Sequence, residues 1–386
     1  MRILFFSSPL YGHIIPQIPL ARAFRDRGDE VAFVTADAFA PLFTGERVGF
    51  RHAGPGAEGV MAEMVSRTGL NPVEAGQTGS AETAAEMFAG VRVDLGYDEA
   101  LEHARAFEPD LIVAEALDFV GPAVADALGV PYATVGFGPA LPTQFTEIFA
   151  ERAALSFAAR GLSYRPGEWY VDPCPPSLQP EGWQAPASGW IAVRPEAFSA
   201  SAGPEAQAGD ASGGRGDRTR VLVTFGTLFG ETGFISSLLT ELLARDYDLR
   251  VTLGLIGSEA DFSVHDERVE YVGFTPLARL LDDVDVVLTV GGAGTVLGAL
   301  SRGVPMVLTP QGADQPLNAA RVAAAGAGIA FPPGAVAPDA VAKAVESVLA
   351  EPGYREGARK LAAEIRSMPS AEEVASVLTT AVIQAG

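Results

Sequence analysis

Cysteine is almost absent from this sequence, because Cys174 is the single thiol in 386 residues. One thiol cannot form a disulfide within the chain, and it excludes a metal site built from several cysteines. The sequence therefore favours a reducing compartment, and we expect the protein to be cytoplasmic.

Basic residues are also scarce, with 27 Lys and Arg against 48 Asp and Glu and a formal net charge of -21. A strongly acidic surface repels phosphate backbones, so we expect no nucleic-acid partner. A nucleotide diphosphate remains compatible with this charge, since backbone N–H groups at the start of a helix bind it without a lysine cluster.

Long hydrophobic runs are missing as well. No stretch reaches the roughly 18 uninterrupted apolar residues of a membrane-spanning helix, so we expect no membrane partner. The apolar N-terminus resembles a signal peptide, but its run is short and no small-residue cleavage pattern follows it. We interpret it as a buried first strand.

Apolar residues nevertheless make up 48% of the chain, and its length predicts two domains. Strand and helix patterns alternate in two series, which is typical of doubly wound parallel sheets. The first series has strands at Met1–Ser8, Glu30–Thr35, Asp110–Ala114 and Pro131–Val135, with helices at Ile14–Arg27 and Phe119–Leu128. The second has strands at Arg220–Phe225, Leu249–Leu255, Val269–Val272, Val284–Val290 and Pro305–Leu308, with helices at Gly233–Ala244, Leu277–Leu281, Gly294–Ser301 and Gln315–Ala325.

The composition breaks between the two series. Residues 199–217 are rich in Ser, Gly, Ala and polar residues without apolar periodicity, which predicts a flexible linker. We therefore expect an N-terminal domain at 1–198 and a C-terminal domain at 218–368. An amphipathic helix closes the chain within 369–386, and we expect it to pack back on the N-terminal domain.

His13 is the first candidate for chemistry. It follows the first strand in a strand-to-helix loop, and ligands of open α/β sheets bind at the carboxyl ends of strands. Gly12 would let the chain turn and a ligand approach, and a histidine can serve as a general base near neutral pH. A carboxylate would fix its tautomer. Glu115 and Asp118 both follow a strand end. The position of Asp118 favours the acid of a helix N-terminus, and Glu115, which is nearer the strand end, is the preferred partner.

Glycine-rich turns supply the second set of candidates. The turn Val290–Thr295 joins a strand to a helix, where backbone N–H groups and the helix dipole can bind a diphosphate. Asp314 and Gln315 follow another strand and offer acceptors and donors suited to sugar hydroxyls. Thr227 lies in a third such loop. Each of these features alone is also consistent with tight packing or helix capping.

Taken together, these segments resemble inverting glycosyltransferases of the GT-B fold, in the group that decorates antibiotics and plant metabolites. Gly273–Leu281 and Val290–Gly328 are similar in order and spacing to the donor-binding signature of that family. The segment DPCPPSLQP, which begins at Asp172, resembles the actinobacterial antibiotic branch. The resemblance implies two Rossmann-like doubly wound domains that face each other.

The same resemblance implies a role for each candidate. His13 would deprotonate an acceptor hydroxyl with Glu115 as its partner, and the acceptor would lie against 51–96 and 138–165. The residues implied in donor binding are Gly12, Thr227, Phe274, Thr275, Gly292, Ala293, Gly294, Thr295, Asp314 and Gln315. The implied substrates are a dTDP- or UDP-linked sugar and a small hydrophobic aglycone, with no metal or cofactor. The oligomeric state stays open between monomer and homodimer.

Two positions depart from the family pattern. Val290 stands where the family usually has a His that contacts the diphosphate, and Gly298 stands where a ribose-binding Glu is common. We therefore expect a weaker or differently held donor. The departures keep open a non-catalytic GT-B homologue that acts as a helper. The sequence also leaves open an NAD(P)-dependent oxidoreductase, a sugar-nucleotide epimerase and a lipid-linked sugar transferase.

Overall fold

A computed structural model describes residues 1–69, 80–187, 189–200, 218–225, 232–254 and 257–385. The chain separates into two compact units. Unit 1 contains Met1–Cys174, Glu181–Arg194 and Met368–Gly386, and unit 2 contains Pro175–Pro180 and Pro195–Ser367. Most of the linker predicted at 199–217 lies outside the described residues.

Unit 1 is built on a parallel sheet with the strand order β3-β2-β1-β4-β5-β6-β7 among the described residues. Its strands are β1 (Arg2–Phe6), β2 (Glu30–Thr35), β3 (Gly49–His52), β4 (Leu111–Glu115), β5 (Tyr132–Val135), β6 (Trp169–Asp172) and β7 (Trp190–Ala192). The order reverses between β1 and β4, which are neighbours in register from Ile3 opposite Leu111 to Phe6 opposite Ala114. Such a reversal is where open α/β sheets bind ligands.

Helices cover this sheet and explain its apolar strands. They are α1 (Tyr11–Ile14), α2 (Ile18–Asp26), α3 (Ala40–Glu46), α4 (Ala57–Thr68), α5 (Ala81–Ala85), α6 (Arg92–Phe107), α7 (Val120–Leu128) and α8 (Thr143–Ala158). The four residues Ile3–Phe6 of β1 are fully buried. A strand covered on both faces is apolar throughout rather than alternating, and this is what the sequence shows.

Unit 2 repeats the plan with the order β10-β9-β8-β11-β12-β13 in its described part, again all parallel. The strands are β8 (Arg220–Thr224), β9 (Asp248–Thr252), β10 (Val269–Val272), β11 (Val286–Thr289), β12 (Met306–Leu308) and β13 (Gly328–Ala330). The helices are α9 (Thr232–Leu243), α10 (Leu277–Leu280), α11 (Ala293–Ser301), α12 (Gln315–Ala324), α13 (Pro338–Ala350) and α14 (Pro352–Ser367). The two parallel α/β sheets confirm the predicted fold class.

The last helix, α15 (Ala371–Ala385), belongs to unit 1 and packs against α2. Arg27 donates a hydrogen bond to the hydroxyl of Ser376, and the N–H of Arg194 donates to the carbonyl of Pro369 at 2.7 Å. The C-terminal end of the chain therefore completes the N-terminal unit.

The single helix predicted at Ile14–Arg27 is wrong in detail. The segment is divided into α1, a 3₁₀ turn at Ile15–Gln17 and α2. Pro16 and Pro19 lack the N–H that an uninterrupted α-helix needs, so each occupies the first turn of a new helical segment. His13 consequently lies on a short helix of its own.

Candidate active site

His13 and Glu115 are brought together by neighbouring strands. His13 lies on α1 just after β1, and Glu115 is the last residue of β4. The imidazole Nδ1 of His13 is 3.0 Å from Oε1 of Glu115. The histidine side chain is 16% exposed and the carboxylate 2%, so the imidazole reaches solvent while its partner is buried.

The carboxylate of Glu115 is held by backbone donors. The N–H of Leu117 donates to Oε2 at 2.7 Å, and the N–H of Ser8 donates to Oε1 at 3.4 Å. Burial disfavours the charged form, but the charge of His13 and these hydrogen bonds outweigh burial and lower the pKa of Glu115. An ionised acceptor facing Nδ1 stabilises the tautomer in which Nε2 is the basic nitrogen.

Two phenylalanines flank the imidazole. The ring of Phe88 stacks on it at a centroid distance of 5.5 Å, and the ring of Phe137 lies tilted at 5.4 Å. Phe88 belongs to a π-helical turn at Glu86–Val91, and such turns occur frequently at functional sites. These two rings restrict access to the faces of the imidazole. The sequence placed Phe88 only within a broad acceptor-lining segment and did not single out either ring.

Asp118 has a different partner. Its Oδ1 accepts the N–H of Gly121 at 2.8 Å, so it caps the first turn of α7, which is the helix-terminus role that the sequence left open. Burial raises the pKa of Asp118 to about 6, although the charge of Arg92 works in the opposite direction. Between the two candidate carboxylates, the structure therefore places Glu115 against His13.

The structure supports only part of the reason for selecting Gly12, which was that it lets the chain turn and a ligand approach. It is an exposed residue within α1, and it is not among the described glycines with positive φ. A Cβ there would meet no atom within 4 Å. The open space is compatible with the approach of a ligand, but the turn does not depend on a left-handed glycine.

In unit 2, the glycine-rich turn is shaped by Gly291, whose φ of 95° only glycine adopts easily. Gly292 is the N-cap of α11, and neither Gly292 nor Gly294 has an atom within 4 Å of the place a Cβ would take. Ala293 is buried and Thr295 half-buried. The turn thus places the N–H groups of a helix start, which have no partner within their own helix, beside open space, and this suits an anion.

The side chains of Asp314 and Gln315 accept hydrogen bonds from neighbouring residues of the same segment. Oε1 of Gln315 accepts the N–H groups of Gln311 and Gly312 at 2.8 and 3.3 Å, and Oδ2 of Asp314 accepts Nδ2 of Asn318 at 2.7 Å. Asn318 is 1% exposed. Its Nδ2 also donates to the carbonyl of Gly291 at 2.9 Å, so it joins this loop to the glycine-rich turn. The sequence offered no signal for Asn318 beyond its position one helical turn after Asp314.

The structure gives less detail on the other residues that were predicted to bind the donor sugar nucleotide. Phe274 and Thr275 follow β10, with Phe274 49% exposed and Thr275 half-buried. Thr227 lies outside the described residues. Within the described ranges, no group of three or more His, Cys, Asp or Glu side chains is placed to hold a metal ion.

The two residues that depart from the family pattern, Val290 and Gly298, are both closely packed in the structure. Val290 is 2% exposed and belongs to the core of unit 2. A Cβ on Gly298 would lie 2.6 Å from Cδ2 of Leu277, so the side chain of Leu277 would have to shift to admit a side chain at position 298.

Comparisons with known proteins cover both units. Family models described as erythromycin biosynthesis protein CIII-like match at residues 22–188 for the N-terminal domain and 236–381 for the C-terminal domain. Elloramycin glycosyltransferase ElmGT of Streptomyces olivaceus is 30% identical over 401 residues, covering 99% of this chain and 97% of that protein. The L-demethylnoviosyl transferase of Streptomyces niveus is 29% identical, covering 98% and 97%.

Two solved structures are also similar to this chain over nearly its whole length. The glycosyltransferase SsfS6 of Streptomyces sp. SF2575, complexed with thymidine diphosphate, is 27% identical, with a TM-score of 0.82 over 98% of this chain and 99% of that one. The glycosyltransferase SnogD of Streptomyces nogalater is also 27% identical, with a TM-score of 0.79 and the same coverage. Of the helices that the structure describes, none has both the length and the apolar character needed to cross a membrane.

Proposed function

This chain belongs to the erythromycin biosynthesis protein CIII-like family and is a nucleotide-sugar-dependent glycosyltransferase, and we propose that it moves a sugar to a natural-product hydroxyl with inversion. The pairing of His13 with Glu115 carries this proposal. The family match and the transferase names of the relatives support sugar transfer over the oxidoreductase and the non-catalytic helper considered from the sequence.

In the proposed reaction, His13 acts as the general base. Nε2 accepts the proton of the acceptor hydroxyl while its oxygen attacks the anomeric carbon. The bond from that carbon to the diphosphate oxygen breaks, and the nucleoside diphosphate leaves with the bonding electron pair. Glu115 stabilises the imidazolium that forms, and a single displacement of this kind inverts the anomeric centre.

The donor half of the proposal rests on unit 2. The amides at the start of α11 would bind the diphosphate, assisted by the helix dipole, and Asp314 and Gln315 would contact the sugar. The thymidine diphosphate bound by SsfS6 supports a dTDP-sugar, with a UDP-sugar as the second candidate. These amides supply the leaving-group stabilisation, and we propose that the enzyme needs neither metal nor cofactor.

The acceptor would be a small hydrophobic aglycone that meets His13 beside Phe88 and Phe137. The name of one relative supports this class, since ElmGT is an elloramycin glycosyltransferase. The single cysteine of the chain supports our proposal of a cytoplasmic enzyme.

The test is a panel of dTDP- and UDP-sugars with aromatic and polyketide acceptors, followed by release of nucleoside diphosphate. The anomeric configuration of the product by NMR reports inversion, and EDTA should leave the rate unchanged. His13→Ala should abolish turnover while binding thymidine diphosphate as tightly as the wild type. Full turnover by His13→Ala would refute the proposed base.

A further inference from the structure

The π-helical turn Glu86–Val91 is the part of unit 1 that brings Phe88 to the imidazole of His13. Its backbone departs from the α-helical pattern, because the N–H of Arg92 donates to the carbonyl of Met87, five residues earlier. The segments on either side, α5 and α6, are α-helical. A π-turn accommodates an extra residue and so changes how the side chains are rotated about the helix axis. The orientation of the Phe88 ring therefore depends on this turn being kept.

Two side chains of α8 hold the turn from outside. The hydroxyl of Ser156, which is 3% exposed, donates to the carbonyl of Ala89 at 2.6 Å. The guanidinium of Arg152 donates to that hydroxyl at 2.5 Å. The same guanidinium binds the carboxylate of Glu86 through two nitrogens, which is the strong and directional form of such a pair. These contacts form a closed path that leaves the turn at Glu86, passes through α8 and returns to the turn at Ala89.

Gly90 leaves the space that this guanidinium occupies. A Cβ at position 90 would lie 2.7 Å from Oε1 of Glu86 and would also collide with the guanidinium of Arg152. Gly90 is not among the described glycines with positive φ, so its backbone has no need of glycine. The position instead requires the absence of a side chain, and the turn is shaped around the arginine.

The turn that is held in this way places the Phe88 ring between the proposed base and the core. On one side lies the imidazole of His13, at a centroid distance of 5.5 Å, and on the other lies Phe149 of α8 at 6.4 Å. Glu115 fixes Nδ1 of the imidazole, and the Phe88 ring limits how far the imidazole plane can rotate. Proton transfer needs Nε2 in one direction, and a misplacement of about 1 Å can cost up to 10²-fold in rate.

We propose that Ser156 and Arg152 are positioning residues for the proposed base, and that they act through the π-helical turn and the ring of Phe88. The inference rests on the proposed role of His13. Without the hydroxyl of Ser156, the turn relaxes toward a regular α-helix and the Phe88 ring rotates away from the imidazole.

The first test observes the imidazole by NMR in the full-length protein. The chain has four histidines, and the signals of His13 are assigned by their loss in His13→Gln. A stacked aromatic ring shifts the signals of an imidazole through its ring current, so Phe88→Leu should move them. Ser156→Ala should move them toward the values found in Phe88→Leu. Thr379→Ala removes a hydroxyl that is bonded within its own helix, α15, and should leave them in place. Unmoved His13 signals in Ser156→Ala would overturn the proposal.

The second test is a double-mutant cycle on kcat. Ser156→Ala should lower kcat by about tenfold at saturating substrates, while the KM for the sugar nucleotide stays at the wild-type level. In a Phe88→Leu background the same change should alter kcat by less than about twofold, because the ring through which it acts is already gone. In a background of Phe43→Leu, a buried ring that stacks on Phe33 and Phe50, the tenfold loss should persist. Equal losses in both backgrounds would refute the path through Phe88.

Gly90→Ala tests the same contacts from the side of the turn, because its methyl group displaces the guanidinium of Arg152 without removing a buried hydroxyl. It should lower kcat and move the His13 signals as Ser156→Ala does. If Ser156→Ala does not fold, Gly90→Ala decides in its place, and unchanged kcat and signals then overturn the proposal. Full turnover by His13→Ala would refute the proposed base without affecting the NMR shifts, so the two failures are distinguishable.

Discussion

The side-chain amide of Asn318 donates a hydrogen bond of 2.9 Å to the carbonyl of Gly291, and so fixes the glycine-rich turn to helix α12. The same Nδ2 donates to Asp314 at 2.7 Å. The turn proposed to bind the diphosphate and the loop proposed to bind the sugar therefore share one buried polar side chain.

Asn318→Ala should weaken binding of thymidine diphosphate by about tenfold, since the amides of the turn lose their fixed direction. The unmet carbonyl of Gly291 should also lower the free energy of unfolding by about 1–3 kcal/mol. Calorimetric titration and thermal melts measure the two effects. Ala320→Ser, an exposed change on the same helix, should alter neither, and unchanged nucleotide affinity in Asn318→Ala would remove Asn318 from the donor site.

Glu115→Gln should lower kcat by about 10²–10⁴-fold, because an amide neither selects the Nδ1–H tautomer nor stabilises the imidazolium. The proposed nucleotide site lies in unit 2, whereas Glu115 belongs to unit 1, so nucleotide binding should remain at the wild-type level. Steady-state rates at saturating donor, together with calorimetry, check the two halves of this expectation. Near-normal kcat in the variant would show that the carboxylate does not assist His13.

Asp118→Asn should change how the free energy of unfolding depends on pH. The direction of this change follows from the raised pKa of Asp118. Burial raises the pKa of Asp118 from 3.8 to about 6, so the native state binds this proton more tightly than the unfolded chain. The stabilisation is complete below about pH 4 and is lost as the pH rises through 6. Asparagine does not titrate, so the unfolding free energy of the variant relative to the wild type should rise by about 1–3 kcal/mol between pH 4 and 7.

Urea denaturation of both proteins at several pH values measures this difference. Asp126→Asn provides the comparison, because Asp126 lies on α7, whose first turn Asp118 caps, and its side chain is 23% exposed, so we expect a small change. A difference that stays constant across the pH range would mean that Asp118 is ionised in the native state at all these values.

Gly298→Glu together with Leu277→Ala should bind thymidine diphosphate more tightly than either single variant. The Cδ2 of Leu277 lies 2.6 Å from the position of a Cβ at 298, so the side chain of Leu277 must shift before this position can hold a glutamate. A double-mutant cycle on nucleotide affinity measures the coupling, which we expect at about 0.5–3 kcal/mol for residues in contact. Strictly additive effects would show that Leu277 does not exclude a side chain from this position.

The sequence predicted the bounds of two strands correctly, one in the interior of its sheet and one at a sheet edge. The bounds Glu30–Thr35 and Val269–Val272 agree with β2 and β10. The strands β3, β6, β7 and β13 were not predicted, since they are only three or four residues long and mostly half-buried, and so carry little periodicity. The break after His13 was missed because two prolines override a continuous apolar stripe.

Some residues of the candidate site could be predicted from the sequence and others could not. His13 and Glu115 could be paired from the sequence because both follow strands, and strand ends meet at one edge of a parallel sheet. Asn318 could not be found, since its role depends on the carbonyl of Gly291, which lies 27 positions earlier in the chain. Nothing in the residues next to Asn318 indicates a buried amide.

The adjacency of β1 and β4 also bears on how the enzyme becomes active. His13 and Glu115 belong to distant parts of the sequence, and no local helix or hairpin can place them side by side. During refolding, helical signals should recover before sugar transfer does, because long-range strand pairing forms more slowly than local contacts. The time at which sugar transfer returns thus reports when β1 and β4 pair during refolding.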